Sequence, residues 1–305
     1  MNPIPGFTSI LVCTFNRSAM LERALRSLMA QTMRNDKFEI VVVDDGSTDA
    51  TRARCQEMAK EAPNLRYVDG GPNQGVARAR DLGVAAARGD RVLFIDDDCV
   101  ADAHWAERMC AALERADIVA GAVDTETKPF MLFCHNVAQF GGYMSCHRSG
   151  ECGMMAGANM GMRRSAVEKI GFTRFAQHAE DVDFALRARE AGYRLHFEAE
   201  AVVTHLPNRT AFTALMRYAA DHADSMIRLR MRHAQLLRTP FLLRSPALLV
   251  LGTPIIALKV TAGIYLYNRV AARRFWSAPI VFATKVAWCV GAVQGLRAIA
   301  RESAT

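Results

Sequence analysis

Three consecutive aspartates, Asp96, Asp97 and Asp98, are the residues of this sequence best suited to chemistry. They follow the apolar run RVLFI. Neighbouring carboxylates repel one another, and a hard divalent cation with oxygen ligands relieves that repulsion while it holds phosphate oxygens. A solvated turn after a strand would explain the same residues without a ligand. The run therefore predicts a cation site on a phosphorylated ligand, with a plain turn as the alternative.

A second polar cluster, Asp44-Asp45-Gly46-Ser47, follows the apolar run FEIVVV. Gly46 permits a tight turn, and an aspartate beside it can accept hydrogen bonds from a nucleobase imide or a ribose hydroxyl. The alternative is a turn whose Ser47 or Asp49 caps the next helix. No GxGxxG or Walker sequence occurs in the chain, so neither glycine-rich phosphate-binding fingerprint is present.

Acidic residues also open a later helical segment, where Glu180, Asp181 and Asp183 fall within four positions. The helix dipole favours acids at this end, so capping is one interpretation. Three acids exceed what capping needs, and a carboxylate held at a helix start beside a cleft is a candidate general base. His205 ends the strand-like run that follows. A lone histidine is usually structural, but beside aspartates its neutral imidazole can ligate a metal.

The elements that must position these residues are strands alternating with helices. Continuous apolar runs predict buried strands at 8–14, 38–43, 66–68 and 91–95, with helices at 20–30, 51–61 and 75–87 between them. Further helices are predicted at 104–115, 180–191 and 211–238, and further strands at 117–123 and 194–204. This alternation predicts an α/β fold with a mostly parallel central sheet and flanking helices.

Ligands of such a sheet bind beyond the carboxyl ends of its strands. Three polar clusters of this sequence occupy those positions: Thr14-Phe15-Asn16-Arg17, Asp44-Asp45-Gly46-Ser47 and Asp96-Asp97-Asp98. Their coincidence on three strand ends predicts one shared site. The stretch 125–153 has weak periodicity and gives no clear element.

Charge is distributed unevenly along the chain. Of its 38 Lys and Arg residues, 14 lie in 205–305, together with only 3 of the 31 Asp and Glu residues. The first two-thirds therefore resembles an acidic globular domain, and the last third a basic region suited to an anionic surface. The basic residues alternate with long apolar runs, which favours a membrane surface and disfavours nucleic acid.

Eight cysteines are scattered without a CxxC pair. In a chain of this size that pattern indicates a reducing compartment rather than a disulfide framework. Cys134, Cys146 and Cys152 lie near His135 and His147, so a soft-metal site is the alternative to buried hydrophobic thiols.

Two apolar segments, 245–267 and 275–296, each contain one charge, Lys259 and Lys285 respectively. Each is long enough to cross a bilayer. A central lysine costs roughly 2.5–3.5 kcal/mol on insertion, and a spanning hairpin would place Arg269, Arg273 and Arg274 outside, against the positive-inside rule. We therefore predict helices that lie in the interface on the cytoplasmic face of the inner membrane. A spanning hairpin and a soluble helical subdomain or oligomer interface are the alternatives.

An ordered set of motifs in this chain resembles family 2 glycosyltransferases of the GT-A fold. The likeness covers 8–205, and the motifs are TSILVCTFNR, VVVDDGSTDAT, PNQGVARARDLGVAAARGD, VLFIDDDC, GANMGMRRSAVEKIGF, AEDVDFALRAREAGYRL and VTH. The resemblance implies a catalytic domain at 1–208. A basic amphipathic helix and linker at 209–244 and an apolar helical region at 245–305 would follow it.

The resemblance also implies inverting transfer of a sugar from a nucleoside-diphosphate sugar to a hydroxyl acceptor. Asp181 matches the catalytic base, with Glu180 beside it. Asp96 and Asp98 match a D-x-D motif that holds Mg²⁺ or Mn²⁺, and His205 resembles a further metal ligand. The remaining positions that match donor or acceptor contacts are Thr14, Phe15, Asn16, Asp45, Gly75, Arg80, Asp97, Gly157 and Asn159. The family weakly favours uridine donors.

One departure concerns polymerisation. Processive synthases of this family carry Q-x-x-R-W, whereas this chain has QLLRT at 235–239. We therefore predict transfer of a single sugar, to a lipid-linked or cell-envelope glycan, with a processive synthase as the alternative. A sugar nucleotidyltransferase would also place aspartates and a metal on such a sheet, and an inactive membrane-attached scaffold is the non-enzymatic alternative.

Overall fold

The computed structural model describes residues 2–172 and 179–302. These residues form two compact units. Within the described chain, unit 1 comprises 2–124, 147–172 and 180–207, and unit 2 comprises 125–146, 179 and 208–302.

Unit 1 is built on one nine-stranded sheet. Its strands are β1 (Ile4–Thr14), β2 (Phe38–Asp44), β3 (Leu65–Asp69), β4 (Gly89–Ile95), β5 (Cys99–Ala101), β6 (Ile118–Asp124), β7 (Gly150–Cys152), β8 (Asn159–Arg163) and β9 (Leu195–His205). The strand order is β3-β2-β1-β4-β8-β6-β9-β5, and β7 pairs with β9. The α/β class is therefore confirmed.

The sheet is parallel in one part and mixed in the other. Strands β3, β2, β1 and β4 are parallel neighbours, and β6 is parallel to β9. Strand β8 is antiparallel to both β4 and β6, and β5 and β7 are antiparallel to β9. The unbroken run of parallel neighbours is formed by the first third of the sequence, where strands and helices alternate.

Helices cover the sheet because their apolar residues recur at helical spacing. They are α1 (Ser18–Met29), α2 (Thr51–Glu61), α3 (Val76–Ala86), α4 (Trp105–Leu113), α6 (Arg164–Ile170) and α7 (Glu180–Glu190), with α5 (Phe130–Phe140) belonging to unit 2. Helix α1 buries Leu21, Leu25 and Leu28 on one face. Helix α3 approaches the sheet closely, since a Cβ at Gly83 would lie 3.0 Å from Leu11.

The strand register brings the polar clusters to one edge. Thr14 pairs with Asp44 at the ends of β1 and β2, and Asp44 pairs with Asp69 at the end of β3. On the other side, Cys99 of β5, which directly follows Asp98, pairs with His205 at the end of β9. The carboxyl-end location of the clusters therefore follows from the sheet itself.

Unit 2 is helical. Besides α5 it contains α8 (Phe212–Arg232), α9 (Pro246–Tyr267), α10 (Arg269–Ala272) and α11 (Ala278–Glu302). The predicted basic helix ends six residues earlier than expected, at Arg232. Helix α9 and the stretch Phe275–Glu302 are long and apolar enough to cross a membrane by length and composition.

One segment lies in a different unit from the one the sequence indicates. Residues 125–146 fall inside the continuous 1–208 domain expected from the motifs, but they pack with the C-terminal helices. The reason is the apolar face of α5, whose Phe133 and Val137 are fully buried in a cluster with Ala271 and Val281. Unit 1 ends at Pro207.

Candidate active site

The turn after β2 is built by its own aspartates. Asp44 accepts hydrogen bonds from the Ser47 backbone N–H and the Tyr67 hydroxyl, both at 2.8 Å. Gly46 has φ +87°, and a Cβ there would lie 2.7 Å from a backbone oxygen, so only glycine fits. Of the two residues considered as caps for the next helix, Ser47 has another contact, because its hydroxyl accepts the Asn16 N–H at 2.8 Å. Asp49 accepts the backbone N–H of Thr51, the first residue of that helix, at 3.0 Å.

Asp45 fixes the loop that precedes α3. Its two carboxylate oxygens accept the backbone N–H groups of Gln74 at 3.0 Å and Gly75 at 2.8 Å. Gly75 has φ +91°, a conformation that favours glycine. The predicted nucleotide-binding residues Asp45 and Gly75 are thus adjacent in space, and the carboxylate keeps lone pairs for a further donor.

Around the end of β1, Phe15 and Asn16 are exposed, whereas Thr14 is buried. The Phe15 side chain is therefore accessible for stacking on a base. The Asn16 side-chain oxygen accepts the Thr48 N–H at 2.7 Å, which ties the ends of β1 and β2 together. The Thr14 side chain is not accessible in this way, and its hydroxyl donates to Asp97 at 2.7 Å.

Asp97 is buried, and its carboxylate links two segments of the chain. Besides Thr14 it pairs with the Arg17 guanidinium at 3.0 Å. Burial raises the pKa of Asp97 to about 7, while the Arg17 charge opposes the shift. These contacts occupy both oxygens of a side chain that the sequence placed among the nucleotide contacts. Arg17 itself had no assigned role.

Asp96, Asp98 and His205 provide the donors suited to a hard cation. The His205 Nε2 lies 3.4 Å from Asp98 Oδ1, and both residues are buried. The Asp96 side chain is 39% exposed. Its pKa is raised first by loss of hydration and then by the Asp98 charge, which Arg80 and His205 oppose. Carboxylate oxygens in excess of the neighbouring positive charge, together with an imidazole nitrogen, are donors that fit a divalent cation.

The predicted cation ligands lie only partly together. Among the residues that the structure describes, no three His, Cys, Asp or Glu side chains are close enough together to hold a metal. Asp98 and His205 form one pair, while Asp96 is engaged by Arg80 at 3.4 Å. No soft-metal cluster at Cys134, Cys146 and Cys152 is found there either.

Arg80 lies among carboxylates. It is 3% exposed, and its Nη1 donates to Glu180 at 2.5 Å. Its Nη2 reaches Asp96 at 3.4 Å and the Gly157 carbonyl at 3.3 Å. The sequence predicted Arg80 near the nucleotide, but in the structure its guanidinium joins Asp96 to the helix that carries the candidate base.

Glu180 and Asp181 differ in environment although they are adjacent. Glu180 is buried, and burial raises its pKa to about 7, with the Asp181 charge adding to the shift and Arg80 opposing it. Asp181 is only half-buried. Its Oδ2 accepts the Gly157 N–H at 2.6 Å. Asp181 therefore has the exposure that a base needs, and Glu180 has the contacts of a positioning group.

Gly157 is required by close packing at this point. A Cβ at residue 157 would lie 2.7 Å from the Arg80 guanidinium and 3.0 Å from the Asp181 carboxylate. Its backbone contacts both side chains, through the carbonyl and the N–H respectively. The predicted site residue Gly157 is thus placed with Asp181, Arg80 and Glu180.

Asn159 has a structural role instead of the predicted sugar or acceptor contact. It is fully buried and accepts the Trp105 indole N–H at 2.8 Å. Its amide donates to the carbonyls of Ala122 and Ala201, each at 2.8 Å. A side chain saturated by β6, β9 and α4 has no surface for a ligand.

Phe172 is a neighbour of the site that the sequence did not indicate. Its ring stacks on Phe184 at 4.8 Å and lies 5.5 Å from the Arg80 guanidinium. A cation over an aromatic face is stabilised electrostatically. The only sequence signal was its position at the end of the GANMGMRRSAVEKIGF motif.

Comparison with known proteins gives the family. The model described as "Glycosyl transferase family 2" matches residues 9–171, and "Glycosyl transferase family group 2" matches 91–300. Curated relatives include glycosyltransferase AglE of Haloferax volcanii, 25% identical over 65% of this chain and 66% of that protein. Another is putative glycosyltransferase EpsH of Bacillus subtilis, 36% identical over 36% of this chain and 32% of that protein.

A third relative is the poly-β-1,6-N-acetyl-D-glucosamine synthase of Staphylococcus aureus, 24% identical over 66% of this chain and 50% of that protein. The chain therefore spans between about one third and two thirds of the length of these relatives.

Solved structures share the fold. The mannosyltransferase PcManGT of Pyrobaculum calidifontis, determined with GDP-Man and Mn²⁺, superposes with a TM-score of 0.63 at 22% identity. The match covers 95% of this chain and 86% of that one. Residues 1–349 of S. aureus TarS give 0.54 at 16% identity, over 97% and 92% of the two chains. With a GT-A-like fold and a family model that matches more than half of its residues, the chain belongs to glycosyl transferase family 2.

Proposed function

We propose that this enzyme transfers one sugar from a nucleoside-diphosphate sugar to an acceptor hydroxyl, with inversion at the anomeric carbon. The observation that carries the proposal is the chain of contacts from Asp181 through Gly157 and Arg80 to Asp96. It places a half-buried carboxylate beside the acidic edge where a diphosphate would be held. A base and a leaving-group site at one edge are what a single in-line displacement needs.

Asp181 acts as the general base. Its Oδ2 is oriented by the Gly157 N–H, which leaves lone pairs on the carboxylate for the acceptor hydroxyl. The base removes the hydroxyl proton as the acceptor oxygen attacks the anomeric carbon from the face opposite the diphosphate. Glu180 and Arg80 hold the start of α7, and with it Asp181, in position.

Asp96, Asp98 and His205 would hold Mg²⁺ or Mn²⁺. When bound, the cation neutralises charge that develops on the leaving diphosphate. The solved PcManGT complex contains Mn²⁺, which supports a divalent cation for this fold.

The nucleotide would lie at the ends of β1 and β2. The exposed Phe15 ring offers a stacking surface, and Asp45 and the loop before Gly75 offer polar contacts. A UDP-sugar is the donor we propose. GDP-mannose, which PcManGT binds, is the comparison to test beside it.

The acceptor is a lipid-linked or cell-envelope glycan, used at the cytoplasmic face of a membrane. The basic, apolar unit 2 supports this location, with two helices of membrane-compatible length and composition. Single transfer is supported by Thr239 at the position where processive enzymes carry tryptophan. The synthase from S. aureus among the relatives makes a polymerising enzyme the second candidate.

A donor screen followed by a transfer assay tests this function. Nucleoside diphosphates and their sugars, with and without Mn²⁺, are first ranked by thermal shift of the full chain. Turnover is then compared between wild type and Asp181→Asn, with Glu190→Gln at the exposed end of the same helix as the control. We expect Asp181→Asn to lose about 10²–10⁴-fold in turnover while its nucleotide affinity is kept. Unchanged turnover would remove Asp181 from its role.

A further inference from the structure

Helix α9 exposes a continuous apolar face, here called the apolar stripe. Its members are Val250, Leu251, Ile255, Leu258 and Leu266, whose side chains are 52–77% exposed. Leu251, Ile255 and Leu258 follow one another at spacings of four and three residues, and Leu266 lies eight residues further on. These four therefore share one side of the helix, with Val250 at its edge. Lys259 is the one charged residue of α9, and it is exposed at the stripe. An exposed apolar surface of this size marks an interaction site.

The opposite side of α9 is already used within unit 2. Leu249 and Ile256 pack against Ala223 and Leu296, and Ile264 packs against Val137. The helix is therefore held to its own unit by one face. The apolar stripe has no such role in the fold.

Aromatic and basic residues lie at the two ends of this helix. Phe241 and Arg244 precede it, and both are exposed. Tyr267 is its last residue, Arg273 and Trp276 follow it, and all three are exposed. Tyrosine and tryptophan favour the headgroup level of a bilayer, and each arginine near an anionic surface adds attraction. The ends of α9 thus complement anionic lipid headgroups, and its exposed side complements acyl chains.

The second apolar helix does not provide a second membrane span. The C-terminal half of α11 packs on the charged helix α8: a Cβ at Gly295 would lie 2.7 Å from the Asp224 carboxylate. Near its end, Glu302 pairs with Arg228 at 2.8 Å. Charges such as these are costly in hydrocarbon. Without its C-terminal half, α11 is shorter than the roughly 20 residues that a span requires.

The connector between α9 and α11 also stays with the rest of unit 2. The Asn268 side chain donates to the Gly141 carbonyl at 2.8 Å, and Arg269 donates to the Cys146 carbonyl at 3.4 Å. Cys146 directly precedes His147, where the chain re-enters unit 1. In a spanning hairpin the connector would be on the far side of the membrane, and residues 125–146 would have to cross with it.

We propose that α9 lies flat in the headgroup region of an anionic bilayer, with the apolar stripe towards the acyl chains, and that neither α9 nor α11 crosses the membrane. Lys259 then extends its amine to the headgroups, whereas a spanning α9 would hold it near the bilayer centre. This mode of attachment deepens the proposed membrane location and does not depend on the transfer reaction.

Vesicle sedimentation tests the lipid partner. The full chain is mixed with phosphatidylcholine vesicles, either pure or containing about 30% phosphatidylglycerol as the anionic lipid. We expect preferential binding to the anionic vesicles, and about tenfold weaker binding for each of Leu251→Glu and Leu258→Glu, because each removes one buried leucine from the interface. Ile4→Glu, an exposed apolar residue of unit 1, is the matched control and should bind as wild type does.

A different set of results would overturn the lipid partner. If the protein ignores both kinds of vesicle and instead forms a dimer that Leu251→Glu and Leu258→Glu dissociate, the stripe is an interface with a second copy. Circular dichroism of each variant establishes that it is folded before binding is compared.

Cysteine labelling tests the topology. In sealed membrane vesicles with unit 1 outside, Arg273→Cys in the connector and Arg34→Cys in unit 1 are treated with a membrane-impermeant maleimide. Both positions are exposed in the structure. We expect equal labelling of the two. Labelling of Arg273→Cys only after detergent would show a spanning hairpin and overturn the proposal. Asp181→Asn should bind and label as wild type does, which separates this result from failure of the proposed catalysis.

Discussion

Arg80 and Glu180 form a buried ion pair of 2.5 Å that joins α3 to the first turn of α7. The same guanidinium also contacts Asp96, and the charge of Asp181 acts on it as well. One cation therefore faces three carboxylates with little water, which explains why the pKa of Glu180 is raised although the residue has an arginine partner.

The raised pKa of Glu180 predicts how stability varies with pH. A carboxyl group with pKa about 7 in the folded state and 4.5 when unfolded stabilises the fold at low pH, and this contribution is lost as the pH rises from 4.5 to about 7. We expect the free energy of unfolding to fall over that interval in wild type and to fall less steeply in Glu180→Gln. Urea unfolding at several pH values measures both slopes.

Asp97 provides the comparison for that experiment, because its pKa is also raised to about 7. Asp97→Asn should remove a separate part of the same fall, and the double variant should fall less steeply than either single variant, with Asp96, whose pKa is also raised, still contributing. If Glu180→Gln keeps the full wild-type slope, Glu180 titrates at its ordinary pKa and the account of the buried pair is wrong.

Gly157→Ala should impair turnover more than it impairs folding. The added methyl group would lie 2.7 Å from Arg80 and 3.0 Å from Asp181, so the base must move. A displacement of about 1 Å at a reacting group costs on the order of 10²-fold in rate. Steady-state kinetics of transfer, with thermal unfolding alongside, measure the two effects.

Gly153→Ala is the matched control for that variant. Its Cβ would meet only the Arg189 side chain, at 3.4 Å, which is ordinary van der Waals contact. Gly153→Ala should keep wild-type turnover. Equal turnover of Gly157→Ala and wild type would mean that this close approach does not position Asp181.

Asn159→Ala should destabilise the protein without changing how the remaining folded enzyme binds its substrates. The substitution leaves the Trp105 N–H and two buried carbonyls without their partner, at a cost of roughly 2–4 kcal/mol. Chemical denaturation measures the loss of stability. The KM values for donor and acceptor, determined below the melting temperature, test whether substrate binding is unchanged. A selective rise in one KM would show that Asn159 belongs to a substrate subsite.

His205→Ala should weaken Mn²⁺ binding by about 10–100-fold, the loss typical even of groups that only support a metal ligand. The reason is its position 3.4 Å from Asp98 at the acidic edge. Calorimetric titration of Mn²⁺ into the nucleotide complex measures the affinity directly. His104→Ala, an exposed histidine elsewhere in unit 1, serves as control, and equal affinity in the two variants would exclude His205 as a ligand.

The sheet and its polar edge could be predicted from local patterns. Continuous apolar runs gave β1, β2 and β4, and the residues after them converge because parallel strands share one carboxyl end. The role of Arg80 could not be predicted in this way. It depends on contacts between α3, the loop at Gly157 and α7. The sequence near residue 80 does not indicate these long-range contacts.

Asn159 shows a related limit. A polar residue next to a glycine-rich motif has the pattern of a ligand contact, yet its amide satisfies backbone groups of two strands in the core. Sequence spacing locates such a residue at the edge of the site but does not tell which way its side chain points.

The assignment of residues 125–146 to unit 2 has a practical consequence for truncation. Removing everything after Pro207 would delete Ala271 and Val281, against which α5 buries Phe133 and Val137. Those aromatic and aliphatic side chains would then face water in a shortened enzyme. Shortening the chain to improve its solubility would therefore promote aggregation. A soluble fragment would also need residues 125–146 replaced by a polar loop.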